Sequence, residues 1–436
     1  MIVSLTSKKR LPPGKLGLPI VGQMFPFLKN PFQFIEDRIA DYGPVFKTRI
    51  GRKTIVMAGP EACAKFIDPS LIQRAGAFPL SVGPLFGGKS LPFLDGGEHL
   101  MRKELVLEAF TPSALQSYLP EMVRIVESQF TQWSSNGEFQ WLDGLKRVAF
   151  ESICSNILML GENSKLESLK ADYESILAGL VALPGPTYVK ALRAKARVFN
   201  VLRPIVKQRR ESPKEDGVSR ILAAKTKSGE MLSDDQAVLE IHHAIIAGYV
   251  IFAELAAIVL YATREKPVLA RLQAEAKKAS KGSPMSLQTL GSLHYVGQFV
   301  MEVKRLCPVI PAVFGKAKKD FEVYGVTVPK GWTVLWALRS SNIFRDSYTH
   351  RMRFDPERFS PPLRAQELQS TLRYAPQGGG PATGHRCAGL DYSTLLMEVF
   401  TLTLVRHSWR LKNINPDYNW SSNPPQPVDG LPARVI

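Results

Sequence analysis

Most of the first two thirds of the chain has the hydrophobic spacing of amphipathic helices. Apolar side chains recur three and four positions apart in residues 60–67 and 111–132, and helical spacing dominates from about residue 98 to residue 280. Glycine and proline interrupt this spacing, and each interruption predicts the end of a helix. The predicted breaks lie at Gly137, Gly161, residues 184–186 and residues 228–229.

Shorter stretches have the composition of strands. Residues 45–50 and 54–57 flank a turn at Gly51, and residues 321–335 are typical of a β meander with a Pro-Lys-Gly turn. Helical spacing returns at residues 388–405. The pattern therefore predicts a mainly α fold with small β-sheets.

The chain has 436 residues, 45% of them hydrophobic, and shows no internal repeat, low-complexity tract or linker. We therefore expect one domain over residues 1–436, opened by a proline- and glycine-rich segment at residues 1–22. The most apolar stretch, residues 244–262, contains Glu254, which favours a buried core helix over a membrane span. The N-terminus lacks the long apolar run of a membrane anchor.

The charge and the cysteine content indicate which partners and which cell compartment to expect. A formal net charge of +17 favours anionic partners such as an acidic electron-transfer protein. No basic run is interleaved with aromatic residues, so we expect no nucleic-acid partner. The four cysteines are scattered without a C-x-x-C pair, which is typical of a reducing compartment. The sequence thus predicts a soluble, cytoplasmic protein.

One cysteine stands in a context that indicates chemistry. A glycine-rich loop over residues 374–389 carries Cys387 to the start of the last predicted helix. A helix N-terminus favours a thiolate, and glycines let the backbone approach a flat cofactor closely. The alternatives are a plain structural loop and a phosphate-binding loop. The second lacks the Gly-Lys-Ser/Thr ending that such a loop needs.

This loop resembles the heme loop of the cytochrome P-450 superfamily, in which an aromatic residue, glycines and a basic residue precede Cys-x-Gly. Residues 381–384 make it longer than usual. The positions that match in kind are Tyr374, Gly378, Gly379, Arg386, Cys387 and Gly389.

A second match adds specificity. Glu302 and Arg305 have the superfamily's Glu-x-x-Arg spacing, and Arg358 lies between them and Cys387 in the chain. On a lone helix such a pair is usually a surface ion pair of little value. In the superfamily these three residues form a charged triad that locks the core beside the heme.

The resemblance implies the cytochrome P-450 fold, with heme b (iron protoporphyrin IX) between a long central helix and the helix after the cysteine loop. Cys387 would be the iron ligand, and His99, Arg102 and Arg386 would bind the heme propionates. The bland interpretation of His99 is a capping or core histidine. The general likeness is to cyanobacterial and plant members that act on retinoids, sterols and terpenes. It implies a hydrophobic substrate pocket lined by Leu85, Phe86, Ala244, Pro311, Ala312 and Val313.

The central helix departs from the family pattern. Oxygen-activating members carry an acid and a threonine after their glycines, because splitting dioxygen needs delivered protons. Here the catalytic positions are Ala247, Gly248 and Ile251, with Val250 in place of the acid. Neither Val250 nor Ile251 can relay a proton.

Two kinds of relative lack this pair. The heme loop resembles that of fatty-acid peroxygenases, which use hydrogen peroxide, but those carry Arg-Pro where this chain has Ala247 and Gly248. The central helix is similar to that of allene oxide synthases, which rearrange a hydroperoxide, but those have an asparagine where this chain has Ala244 and a longer insertion in the heme loop. The residues that could replace the relay are His242, His243, Tyr249 and Glu254, unless these only pack in the core.

We therefore expect oxygen insertion into a hydrophobic small molecule. The oxygen would come from dioxygen with an acidic ferredoxin-type electron donor, or from peroxide without a donor. A heme-dependent isomerase or dehydratase and a non-catalytic heme-binding protein are the alternatives.

Overall fold

The computed structural model describes residues 10–135, 137–161, 164–181, 183–279, 285–361 and 372–436. Helices dominate, as the spacing of apolar residues predicts. They are α1 (Met24–Lys29), α2 (Pro31–Tyr42), α3 (Pro60–Phe66), α4 (Val82–Leu85), α5 (Gly96–Leu107), α6 (Pro112–Ser135), α7 (Trp141–Leu158), α8 (Ser164–Leu180), α9 (Pro186–Glu211), α10 (Gly217–Ala223), α11 (Asp234–Tyr249), α12 (Phe252–Arg264), α13 (Lys266–Ala279), α14 (Leu287–Ser292), α15 (His294–Leu306), α16 (Leu338–Asn342) and α17 (Leu390–Leu404).

The strands form small sheets, so the prediction of a mainly α fold with small β-sheets is confirmed. A five-stranded sheet has the order β1-β2-β8-β5-β3, a three-stranded sheet the order β4-β12-β9, and two pairs join β6 to β7 and β10 to β11. The strands are β1 (Val45–Ile50), β2 (Arg52–Met57), β3 (Ile72–Gln73), β4 (Glu138–Gln140), β5 (Ala312–Ala317), β6 (Phe321–Val323), β7 (Val326–Val328), β8 (Thr333–Ala337), β9 (Trp409–Leu411), β10 (Tyr418–Asn419), β11 (Gln426–Pro427) and β12 (Pro432–Val435).

The predicted meander over residues 321–335 is wrong in its last strand. Strands β6 and β7 pair as a hairpin, but β8 joins the five-stranded sheet, where it runs parallel to β2 and antiparallel to β5. Every residue of β8 is buried, whereas β6 and β7 include exposed or half-buried positions such as Glu322 and Val326. A strand that is apolar on both faces is stabilised best inside a covered sheet.

The central helix is broken between α11 and α12. Ser233 caps α11 in a capping box with Gln236, and the helix continues to Tyr249. At Val250 and Ile251 the spacing of the helical hydrogen bonds falls from four residues to three, since the Ala253 N–H donates to the Val250 carbonyl. Among the described residues, the Asp234–Arg264 stretch alone is long and apolar enough to cross a membrane, but 78% of its most apolar window is buried inside the protein. It is thus a core helix.

The charged residues Glu302, Arg305 and Arg358 lie together beneath this helix. Arg305 binds both carboxylate oxygens of Glu302, at 2.6 and 2.7 Å, and the two side chains are fully buried. The Arg358 Nε lies 3.6 Å from the same carboxylate. The Glu302 carboxylate also accepts the Asp355 N–H at 2.9 Å. The group therefore fastens α15 to the segment that contains Asp355 and Arg358.

We predict that Arg305→Met lowers the free energy of unfolding by about 3–5 kcal/mol, because it leaves the buried Glu302 carboxylate without its main partner. Urea unfolding followed by circular dichroism measures the change. Arg124→Met is the matched control, since Arg124 binds Glu121 with the same three-residue spacing and the same fork geometry. That pair is partly exposed, and Arg124 also binds Glu151 at 3.2 Å, so we expect a loss clearly smaller than that of Arg305→Met. Equal losses in both variants would contradict the argument.

Candidate functional site

The loop before Cys387 is held in a tight turn. The Cys387 N–H donates to the Gln377 carbonyl at 3.0 Å. Gly378 has a φ of 90°, and a Cβ atom at that position would lie 3.3 Å from the His385 carbonyl oxygen. A side chain at position 378 would therefore be strained and would press on the backbone that carries the thiol. This explains why the sequence needs a glycine there.

Cys387 lies three residues before α17, with Gly389 as the N-cap residue. Burial raises the pKa of the Cys387 thiol, while the positive charge of Lys103 and the N–H of Gly389 oppose that rise. Coordination by a metal deprotonates a thiol outright, so these opposing groups would stabilise the bound thiolate.

Two buried lysines hold this loop from either side. The Lys103 ammonium on α5 donates to the Arg386 carbonyl in a short hydrogen bond. The Lys304 ammonium on α15 donates to the side chains of Gln377 and Ser393, at 2.9 and 2.7 Å. Both side chains are nearly inaccessible to solvent. The loop is thus positioned by buried positive charge.

A second cluster surrounds Arg386. The His99 and His385 rings lie 3.9 Å apart, and the His385 Nε2 is 3.8 Å from the Asp95 carboxylate. Burial lowers the pKa of His99 to about 3, so its imidazole is neutral near pH 7 and acts as a hydrogen-bond donor or acceptor only. Asp95 also accepts the Arg74 N–H at 2.9 Å. Of the predicted propionate ligands, the structure brings His99 and Arg386 to this region.

Arg102 has other partners. It donates to Glu240 at 3.1 Å and to Glu98 at 2.7 Å, and it also binds the Lys89 carbonyl. Burial raises the pKa of Glu240 to about 6, although the Leu91 N–H and Arg102 act against that rise. Arg102 therefore ties α5 to α11, and Lys103 is the neighbour that reaches the Arg386 backbone.

The basic groups near the loop fit a cofactor that carries carboxylates. Arg74 is only 6% exposed, yet its Nε and Nη1 atoms have no hydrogen-bond partner among the described residues. The same holds for Arg386 Nε. Burying guanidinium donors without partners is costly, and planar carboxylates satisfy them in pairs. The tight backbone at Gly378 likewise suits the close approach of a flat ring. These residues fit a heme with its propionates.

The predicted catalytic positions on the central helix differ in orientation. Ala247 is exposed although its helix neighbours are mostly buried, whereas Gly248 faces α7, where an added Cβ would lie 2.4 Å from Ile153. Ile251 is buried at the break that follows. The exposed face of α11 therefore carries Ala247 and, one turn earlier, His243.

The four residues that could replace the proton relay differ in their burial and in their hydrogen-bond partners. His242 is buried between the Tyr173 hydroxyl and the Leu85 carbonyl, which makes it a core histidine. The Tyr249 hydroxyl donates to Glu174 on α8 at 2.8 Å. His243 is partly exposed, and its Nδ1 atom lies 3.9 Å from the Glu240 carboxylate.

The fourth candidate is Glu254 on α12. It is fully buried, 3.8 Å from the Lys304 ammonium. The side of α11 that holds Ala247 thus offers His243 rather than Glu254 as its titratable group.

Opposite α11 lies an aromatic wall, formed by Phe78, Phe86, Phe93 and Phe314. Ring centroids are 4.5 Å apart between Phe78 and Phe93, 5.7 Å between Phe86 and Phe93, and 5.5 Å between Phe78 and Phe314. The Phe86 ring is 6.0 Å from that of His243. The wall therefore packs beside α11, with His243 at the contact.

The residues predicted to line the pocket fall into two groups. Phe86 is part of the wall, and Pro311, Ala312 and Val313 lead into Phe314 on β5. Ala244 is buried on α11, and Leu85 is fully buried with its side chain against Gly179 of α8. The structure thus brings the first group to the wall but turns Leu85 away from it.

Sequence reasoning missed several residues that the structure gathers here. Arg74, Lys103 and Lys304 contact or face the loop from different parts of the chain, and His385 is part of the loop itself. The signal that could have found Lys304 is a lysine inside an otherwise apolar face of α15, next to Arg305. For Arg74 the sequence holds no such signal, because its burial depends on tertiary packing.

The comparisons with known proteins agree with this geometry. The sequence profile of the cytochrome P450 family matches residues 12–426. The chain therefore belongs to the cytochrome P450 family. Membership implies a heme iron cofactor, which the loop and its buried basic groups fit.

Full-length relatives show the same. The chain is 29% identical to a putative cytochrome P450 120 from a Synechocystis species, covering 100% of this chain and 99% of that protein. It is 28% identical to a β-amyrin 28-monooxygenase from Panax ginseng, over 98% of this chain and 92% of that one. A cyanobacterial cytochrome P450 solved with retinoic acid bound superposes with a TM-score of 0.89 at 28% identity, covering 99% and 100% of the two chains. The cytochrome P450 fold that the resemblance implied is thus confirmed.

We predict that Gly378→Ala sharply reduces heme incorporation, because the new methyl group would press on the His385 carbonyl while the backbone is held in a left-handed conformation. The measurement is the ratio of heme to protein after expression with excess heme precursor.

Gly325→Ala is the control for this change. Gly325 also has a positive φ, of 70°, but nothing lies within 4 Å of its added Cβ. It therefore carries the backbone strain of about 1–2 kcal/mol without the tight contact at the loop. A normal heme content in Gly378→Ala, or an equal loss in both variants, would show that the contact at the loop does not matter.

Proposed function

We propose that this chain is a heme-thiolate oxygenase that binds heme b through Cys387 and inserts an oxygen atom into a hydrophobic, terpenoid-like small molecule. The observation that carries the proposal is the glycine-shaped loop that presents Cys387 among buried cations. The names of two relatives point to such compounds. One relative is a β-amyrin 28-monooxygenase, and the other is a cytochrome P450 whose structure contains retinoic acid. Aromatic side chains beside α11 would suit the same class of substrate.

Thiolate-bound heme iron supplies the oxygen-transfer chemistry. Four parts of the chain have roles around this group. Cys387 binds the iron, and Arg386, His99, Arg74 and Lys103 lie where they can hold the propionates or the loop. The aromatic wall orients an apolar substrate and excludes water. The break at Val250 and Ile251 frees carbonyl oxygens of the preceding helical turn, which can hold a water molecule.

The oxygen source follows from the side chains at this break. Val250 and Ile251 carry no exchangeable proton, so protons for cleaving dioxygen would have to come through water or His243. Peroxide already contains the reduced oxygen–oxygen bond and needs no electron donor. We therefore favour peroxide-driven insertion, with dioxygen and an acidic ferredoxin-type donor as the second route.

The rearrangement of a hydroperoxide is a second candidate function, because it too needs no proton relay for dioxygen. The same two apolar side chains favour it. The likeness to a monooxygenase over 98% of the chain supports insertion more.

The test compares three incubations of purified protein with a panel of terpenoids and fatty acids: NADPH with a ferredoxin and its reductase, hydrogen peroxide alone, and substrate hydroperoxides alone. We expect hydroxylated products with peroxide at rates well above those with NADPH. Turnover in the third incubation only would establish isomerisation instead. No product in any of the three would remove the proposal of an oxygenase.

The role of Cys387 is tested by substitution. We expect Cys387→Ala to abolish the thiolate-type absorption of the reduced, carbon-monoxide-bound protein, since the sulfur ligand is lost. Cys307→Ser is the control, because Cys307 is another partly buried thiol and should leave the spectrum unchanged. A thiolate-type spectrum that survives in Cys387→Ala would exclude this ligand.

The need for a proton relay is tested by introducing an acid and a hydroxyl group at positions 250 and 251. We predict that Val250→Asp with Ile251→Thr raises product formation per NADPH by about tenfold or more, since a positioned acid and hydroxyl supply protons. The control is Val250→Asp with Ile251→Val, which has the same shape as threonine without its hydroxyl. If both double variants behave alike, or peroxide turnover rises equally, proton delivery is not what limits the dioxygen route.

A further inference from the structure

A buried lysine that holds the Cys387 loop lies close to a buried glutamate, and the function proposed above gives this pair no role of its own. Lys304 on α15 is 1% exposed, and Glu254 on α12 is fully buried. Their charged atoms are 3.8 Å apart. Burying two charges costs several kcal/mol for each ion, so a pair of this kind is expected to be well hydrogen-bonded if both members are ionised.

The two members are not equally bonded. Neither carboxylate oxygen of Glu254 has a hydrogen-bond partner among the described residues. The Lys304 ammonium, in contrast, donates to the Gln377 Oε1 at 2.9 Å and to the Ser393 Oγ at 2.7 Å. The bonding of Lys304 is therefore directed toward the cysteine loop and α17, away from Glu254.

The hydrogen bonds of Lys304 connect it to the segments on both sides of Cys387. The Gln377 carbonyl accepts the Cys387 N–H, while the Gln377 side chain accepts the Lys304 ammonium. Ser393, the second acceptor, donates to the Leu390 carbonyl in the first turn of the helix that follows Cys387. Lys304 thus bridges the residues on both sides of Cys387, and its charge acts on the sulfur through a dry interior in which screening is weak.

A carboxylate without hydrogen bonds in such a place favours its neutral form. Burial raises the pKa of Glu254, and the nearby Lys304 opposes that rise. If Glu254 is protonated, the charge of Lys304 is not cancelled by it. Its positive charge then acts on the Cys387 thiolate, as that of Lys103 does.

We propose that Lys304 is a buried counter-charge of the Cys387 thiolate in addition to Lys103, positioned by Gln377 and Ser393, and that the Glu254 carboxyl group is neutral. Lys304 is a positioning residue, because it acts on the iron through the sulfur. By withdrawing electron density from the thiolate it favours the reduced iron and raises the heme reduction potential. The inference rests on the proposed ligation by Cys387.

The test is a spectroscopic redox titration of the purified heme protein, which needs no substrate. Lys304→Met keeps the volume and removes the charge, so we expect the reduction potential to fall. An order-of-magnitude expectation is an about tenfold change in the equilibrium constant, or about 59 mV for one electron. Lys304→Arg should stay near the wild-type potential. A change confined to stability would move the unfolding transition but not the potential.

Glu254→Gln decides the state of the carboxyl group. If Glu254 is neutral, this variant keeps the wild-type potential. The double variant Lys304→Met with Glu254→Gln then has the same low potential as Lys304→Met. A potential that rises in Glu254→Gln and returns to the wild-type value in the double variant would overturn the proposal, since the two residues would then neutralise each other.

Two further results bear on the inference. An unchanged potential in Lys304→Met would also overturn it. If Lys304→Met does not take up heme, the comparison of Glu254→Gln with the wild type still tests the neutral carboxyl group. The wild-type carbon-monoxide spectrum is recorded first, because a missing thiolate signature there would refute the ligation by Cys387 and not the role of Lys304.

Discussion

Buried positive charge around one loop is the constraint on which the rest of the site depends. Lys103 and Lys304 bind the backbone and side chains next to Cys387, while Arg74 and Arg386 keep unpaired donors in a dry region. Such cations are costly in an apolar interior unless negative groups meet them. The proposed thiolate and the propionates of a heme would be negative groups of the right kind. The cofactor would then be part of the electrostatic balance of the core.

The charged group of Glu302, Arg305 and Arg358 solves the same problem without a cofactor. Its carboxylate is bound by two guanidinium groups and a backbone N–H, so every charge has a partner in the protein. This self-contained network lies next to Lys304 on α15, whose partners lie in the cysteine loop and on α17. One helix thus carries both an ionic network with its own partners and a cation that is bonded toward the proposed ligand.

The sequence predicts the parts of the site that depend on local pattern. The loop of Cys387, the spacing of Glu302 and Arg305, and the buried central helix follow from glycine chemistry and from helical periodicity. Contacts between distant segments do not follow. The sequence shows no reason why Arg74 should be buried beside the loop, or why β8 should leave the hairpin of β6 and β7. Only the packing of the whole chain decides these, because many surfaces compete for the same apolar neighbours.

The pairing of β2 with β8 has a consequence for how the chain acquires its structure. It joins residues 54–57 to residues 333–336 in a parallel ladder. Contacts so far apart in sequence carry a large loop-closure entropy and form late. During synthesis, the first hairpin must wait for most of the polypeptide to leave the ribosome before its open edge is covered. A chaperone that shields this edge would therefore act while the chain is still being synthesised.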